Sequence, residues 1–261
     1  VTGGVVNSLT ANFNLMTGVA RRVGNALLRD FTEAQILTAS IAGTDKIANR
    51  ARQRADTAIR HDLAEARPNY GIRSDVIGTV EGADPTREWL VAAITGYENF
   101  RNGIPHWAVA IALREKDILR LAVLYDPYKN EMFRSQKGQG AYINNIRLRS
   151  APRNEPRNFL VAADRIDHSS INIGNLAARV QSVRCSGAPA LDLVYLAAGR
   201  IHAFVGTDRD AIDRSTAEAV LLESGGMTGT APFLPVGSSL YCAAGTDGFE
   251  QFLKTLEDVV E

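Results

Sequence analysis

The chain has 261 residues, 45% of them hydrophobic, with 29 basic and 29 acidic side chains. That composition supports a sizeable soluble core. The zero formal net charge supplies no global field toward nucleic acid or a membrane surface, so neither is an expected partner.

Met16, Val19, Val23 and Leu27 recur at helical spacing and predict an amphipathic helix over about residues 9–31. Before Arg21 there is no charged side chain, yet Asn7, Ser8, Thr10, Asn12 and Asn14 interrupt any apolar run. A secretory leader is therefore not expected. A second helix is predicted over residues 45–66, with Ile47, Ala51, Ala55, Ala58, Ile59 and Leu63 as its buried stripe. Lys46, Arg50 and Arg54 recur every four residues beside Arg52, and Asp45, Asp56 and Asp62 interrupt them. This reads either as a mixed, solvated surface or as a basic stripe for an acidic partner or RNA.

Strand-like runs follow in "EWLVAAI", "WAVAIAL" and "ILRLAVLYD", then in "GAYINNIRLR". The "REKD" between Leu113 and Ile118 predicts a hairpin. After the polar, proline-containing residues 150–158 the pattern alternates. "NFLVAAD", "SVRC", "IHAFV" and "LYCAAG" read as strands, and "IGNLAARVQ", "ALDLVYLAAGR", "STAEAVLLESGG" and residues 249–259 as helices. The fold class is thus α/β (α+β), one domain over residues 1–261, with halves of about 1–150 and 158–261.

Cys185 and Cys242 lie far apart, without metal-ligand spacing. They suit a reduced, cytoplasmic protein, with one buried disulfide as the alternative, and both are expected to be buried beside apolar strand residues. The four histidines, His61, His106, His168 and His202, share no metal-site spacing, and His106 reads as a packed structural side chain.

With these elements placed, the chain resembles the inositol monophosphatase family, closest to its bacterial extragenic-suppressor branch. The likeness runs through "NLMTGVARRVGNALLRDF", "ARPNYG", "GIPHWAVAIAL", "YDPYKNEMFRSQKGQGAYINN", "SGAPALDLVYLAAGRI" and "EAVLLESGG". It implies a layered α/β/α/β/α sandwich, usually a homodimer, whose active members hydrolyse phosphate monoesters with magnesium. It also implies a metal-binding motif, D-P-x-D-G-T-x-N-F. In this chain the two aspartates of that motif align with Ala92 and Thr95; only Gly96, Asn99 and Phe100 match.

By the same resemblance the upstream glutamate pair falls on Asp75 and Val76, and the aspartate of the later helix on Asp213. Two helix aspartates become Lys46 and Arg52, and the substrate-contacting glutamate becomes Gly206. Residual metal candidates are Asp75 and Asp213. The Gly96 and Tyr97 amides are candidate phosphate or anion donors, and Gly187 and Ala188 line the substrate's edge. Lys46 is either a solvated lysine or an ammonium standing where magnesium would sit. Thr95-Gly96-Tyr97-Glu98 has the form of a capping box, or is simply a common helix start.

The resulting expectation is a pseudoenzyme with a degenerate metal site, no catalytic residue and no cofactor, kept for binding, assembly or regulation. Its expected partner is a second copy, a paralogue or a transcription-related protein. The alternatives are a magnesium-dependent monophosphatase with a weakened site and a phosphorylated-ligand sensor that does not hydrolyse.

Overall fold

The computed structural model describes residues 2–36, 41–151, 153–164, 172–207, 211–231, 233 and 240–259, with side chains from residue 9 in the first helix and 43 in the second. Two long helices come first, α1 (Thr2–Ile36) and α2 (Ile41–Ala66). Then follow β1 (Tyr70–Ser74), β2 (Gly78–Val80), β3 (Asp84–Thr95), the short α3 (Tyr97–Arg101), β4 (Ala108–Glu115), β5 (Ile118–Asp126), β6 (Glu131–Gln136), β7 (Gly140–Ile143) and β8 (Ile146–Arg147). The second half alternates through β9 (Leu160–Asp164), α4 (Ile173–Arg179), β10 (Ser182–Arg184), α5 (Pro189–Ala197), β11 (Ala203–Thr207), α6 (Ile212–Glu223), β12 (Gly226–Thr230), β13 (Leu240–Gly245) and α7 (Phe249–Glu257).

The first sheet has eight strands in the order β2-β1-β3-β4-β5-β6-β7-β8, and the second has five in the order β10-β9-β11-β13-β12. Side chains alternate across a strand, and β3 shows why the layers stack as they do. Trp89, Val91 and Ala93 face the α1/α2 layer with Met16, Val23, Leu27, Ile59 and Leu63. Leu90 and Ala92 face the opposite way, into a core shared with α5, α6 and the second sheet. The far face of the second sheet packs on α4 and α7 through Leu176, Phe252 and Leu256. The result is an α/β/α/β/α sandwich, as expected.

The "REKD" hairpin joins β4 and β5 antiparallel. Lys116 and Asp117 at its tip both hold positive φ, 50° and 64°, the backbone demanded by tight turns matched to strand twist. The described residues of the 150–158 segment lie in sequence between the two sheets, with the Ser150 amide donating to the Ser224 carbonyl at 3.0 Å. Among the described residues no helix is long and apolar enough to cross a membrane.

Candidate active site

The end of β3 is built irregularly. Ala92 pairs with Ala110 and Thr95 with Ala108, so β3 carries one extra residue across this step. Such a bulge re-aims the side chains around it. Ala92 keeps its inward orientation, and the Thr95 hydroxyl points to α6, donating to Asp213 Oδ2 at 2.7 Å. Asp213 lies in the first turn of α6, where a carboxylate favours the positive helix end. Its Oδ1 accepts from the Arg214 amide at 2.9 Å.

Asp75 follows β1 immediately, and its amide donates to the Val91 carbonyl at 3.0 Å. Its carboxylate is already engaged. Arg52 Nη2, reaching from α2, lies 2.9 Å from Oδ2, and the same nitrogen donates to the Asp75 carbonyl at 3.1 Å. The Ala93 amide donates to Oδ1 at 3.3 Å. Arg52 also stacks over the Tyr97 ring, 5.3 Å from its centroid, while the Tyr97 hydroxyl donates to Asn49. Burial pushes the Asp75 carboxyl above its ordinary value; the Arg52 guanidinium and the Ala93 amide oppose this, and nearby Asp213 adds to the rise.

The sign of that shift sets a pH dependence. The folded chain holds the Asp75 proton to higher pH than the unfolded chain, whose value is near 3.8. Stability from this group is therefore lost as pH rises from about that value through the folded pKa, and the penalty is complete above it. Urea unfolding of Asp75→Asn across this window should lack that share of the fall.

The structure brings Asp75, Thr95 and Asp213 near one another, with Ala92 on the inward face of β3. Of the alternatives open at Lys46 and at the α3 turn it has the solvated lysine and the plain helix start, and it corrects the expectation at Cys185. Lys46 is exposed, and Arg52, not Lys46, forms the ion pair with Asp75. The capping box does not form. Thr95 belongs to β3 and spends its hydroxyl on Asp213, Gly96 at φ 73° caps α3 without a side-chain bond, and Glu98 pairs with Arg101 at 2.7 Å. Cys185 is exposed, just beyond the edge strand β10, whereas Cys242 is buried and its thiol is pushed up to about 12 by that burial.

The three motif residues that remain do mechanical work. Asn99 Nδ2 donates to the carbonyls of His106 and Ser186, both at 2.9 Å, tying the turn before α5 to the entrance of β4. Phe100 is buried against Phe31 and Trp107. Gly96 and Gly187 hold positive φ, 73° and 74°, and Ala188 is buried against the turn. His106 is packed at the entrance of β4, its Nε2 3.8 Å from Asp192 and its ring edge-on to Tyr195. Gly206 lies within β11, and a Cβ there would sit 2.9 Å from the Asp164 carbonyl oxygen and 3.1 Å from the Phe204 ring. The position where the resemblance places a substrate-contacting glutamate is thus closed to any larger side chain without a shift of the strand.

Magnesium takes about six oxygen donors near 2.1 Å. Asp75 and Asp213 are the carboxylates that converge here, one already bound to a guanidinium and the other to a hydroxyl and an amide. Among the described residues no group of three or more His, Cys, Asp or Glu is placed to hold a metal ion. Among the described residues the set does not fit a magnesium pair.

The model described as the inositol monophosphatase family matches residues 10–260. An inositol-1-monophosphatase of Mesorhizobium japonicum is 35% identical over 224 residues, 83% of this chain and 84% of that protein. The Nus factor SuhB of Escherichia coli is 31% identical over 221 residues, 82% and 83% of the two chains. The crystal structure of the extragenic suppressor protein suhB from Bartonella henselae superposes with a TM-score of 0.83 at 26% identity, covering 95% of this chain and 99% of that one.

Proposed function

We propose a function from an established premise: the chain belongs to the inositol monophosphatase family, on its SuhB-like side. Our reading is that it keeps the family's fold for binding or assembly, without magnesium-dependent hydrolysis of phosphate monoesters. The observation that carries this reading is the Arg52–Asp75 ion pair beside Ala92 and Thr95. Two-metal hydrolysis needs anionic oxygens to fix both ions, activate water and stabilise the leaving oxygen. Among the described residues two carboxylates and one guanidinium leave this cluster one net negative charge, and bound cations dominate such local electrostatics.

A second reading, a weakened magnesium-dependent monophosphatase, is favoured by the Mesorhizobium japonicum relative, whose name is that of the enzyme. Calorimetric titration with magnesium, followed by phosphate release from inositol and sugar monophosphates, separates the two. We expect no millimolar-or-tighter binding and no metal-dependent turnover; turnover that follows magnesium would replace the first reading with the second. Thermal stabilisation by a phosphate ester in the presence of chelator would instead indicate a ligand sensor that uses the Gly96 and Tyr97 amides. For assembly we propose a cytoplasmic homodimer or a heteromer with an active paralogue, with a transcription-related protein as the other partner class. Light scattering of the chain alone and mixed with a paralogue tests the first pair.

A further inference from the structure

We infer that the Arg52 guanidinium is the resident cation of this site: it neutralises Asp75 beside Asp213 and takes the place of a divalent ion at that carboxylate. The inference rests on the preceding reading, that the native site holds no magnesium.

Geometry carries it. Arg52 comes from the helix α2, Asp75 from the turn after β1, and Asp213 from the first turn of α6. Arg52 thereby ties α2 to the turn after β1, and α6 brings the Asp213 carboxylate close enough to act on Asp75. Arg52 is placed for that role by three contacts: its Nη2 meets Asp75 Oδ2 at 2.9 Å and the Asp75 carbonyl at 3.1 Å, and its guanidinium lies 5.3 Å from the Tyr97 ring centroid. A planar guanidinium can satisfy a carboxylate, a carbonyl and an aromatic face together, where a magnesium ion would need about six oxygens. The side chains of the pair are 30% and 25% exposed. The partnership is therefore shielded from solvent without being sealed, and a small hydrated ion could reach the carboxylates if the guanidinium were gone.

That consequence is testable. Removing the guanidinium takes from Asp75 the cation it pairs with, beside the Asp213 carboxylate, and a divalent ion should then bind where none binds in the native chain. The experiment follows Tm of the native chain, Arg52→Ala and Arg52→Lys, each with chelator, with magnesium chloride, and with sodium chloride at matched ionic strength. The native chain should be indifferent to magnesium. Arg52→Ala should melt several degrees lower in chelator and regain part of that loss in millimolar magnesium but not in matched sodium. Arg52→Lys, which keeps a cation, should remain indifferent. Adding Asp75→Asn to Arg52→Ala should abolish the magnesium response and recover stability in chelator.

Failures separate cleanly. A native chain that magnesium stabilises overturns the functional reading itself. An indifferent native chain with an equally indifferent Arg52→Ala overturns only the role given to Arg52. If Arg52→Ala does not fold, Arg52→Gln, which retains length and a donor but no charge, takes its place. A double variant that folds where the single one does not supports the inference, and one that fails equally counts against it.

Discussion

Replacing Trp107 with alanine will lower the urea midpoint by an amount equivalent to about 4 kcal/mol, with little change in slope. Trp107 is fully buried, and its ring lies 4.9 Å from Phe100 edge-on and 5.4 Å from Phe31. Those three rings join α1, α3 and the residue that leads into β4, and no single neighbour can collapse into the space an indole leaves. The transfer term and the cavity term therefore add. One offset exists: the indole Nε1 is buried without a hydrogen-bond partner, so truncation also removes an unsatisfied donor, worth about 1–3 kcal/mol. The prediction sits in the middle of the range for buried aromatic truncations for that reason. Ile118→Ala, at a side chain 45% exposed on the rim of β5, should stay within about 0.5 kcal/mol. A Trp107→Ala protein as stable as that control would mean the ring cluster does not hold α3 in place.

Much of the fold was readable because its central strands are buried on both faces. "EWLVAAI", "WAVAIAL" and "ILRLAVLYD" are continuous apolar runs, and only a strand of a covered sheet or a buried helix has that character. The strands that periodicity missed have a different chemistry. β6 is "EMFRSQ", with polar residues at both ends, and β12 is "GMTGT", which offers little side-chain surface. Their pairing is decided by neighbours already in the sheet, so tertiary context fixes them where local pattern does not. β1, "YGIRS", pairs parallel to β3 across a register shift, a long-range fact with no local signature.

The site divides the same way. The absence of aspartates at Ala92 and Thr95 is written in the chain, and so is the convergence of Asp75 and Asp213 once the family resemblance is granted. The partner of Asp75 required a choice between Lys46 and Arg52. They are six residues apart on α2, about 120° around the helix, so one of them at most can face the sheet. The buried stripe Ala48, Ala51, Ala55, Ile59 sits on the side nearer Arg52, a signal helical geometry alone could have supplied. The capping box failed for a reason that local sequence does not contain: the hydroxyl of Thr95 found a partner 118 residues away.

Gly96→Ala is the second large effect, about 3 kcal/mol of stability lost. Two costs combine. A residue with a Cβ at φ 73° carries the strain of the left-handed region, about 1–2 kcal/mol. The new methyl would also sit 2.7 Å from the His106 carbonyl oxygen and 3.0 Å from the Ala188 Cβ. Neither obstacle is the free end of a flexible side chain. The His106 carbonyl is the one that Asn99 holds, so the turn must move and take that bond with it. Other glycines separate the terms. Gly138 has φ +76° with nothing within 4 Å, so Gly138→Ala should cost only the backbone term, about 1–2 kcal/mol. Gly18 lies exposed in α1 with open space around it and no positive φ, and Gly18→Ala should stabilise by about 0.5–1 kcal/mol. The ordering Gly18, Gly138, Gly96 in urea midpoints is what close packing at the Gly96 turn requires. If Gly96→Ala and Gly138→Ala lose the same amount, the contact with His106 contributes nothing, and the turn before α3 is held by backbone preference alone.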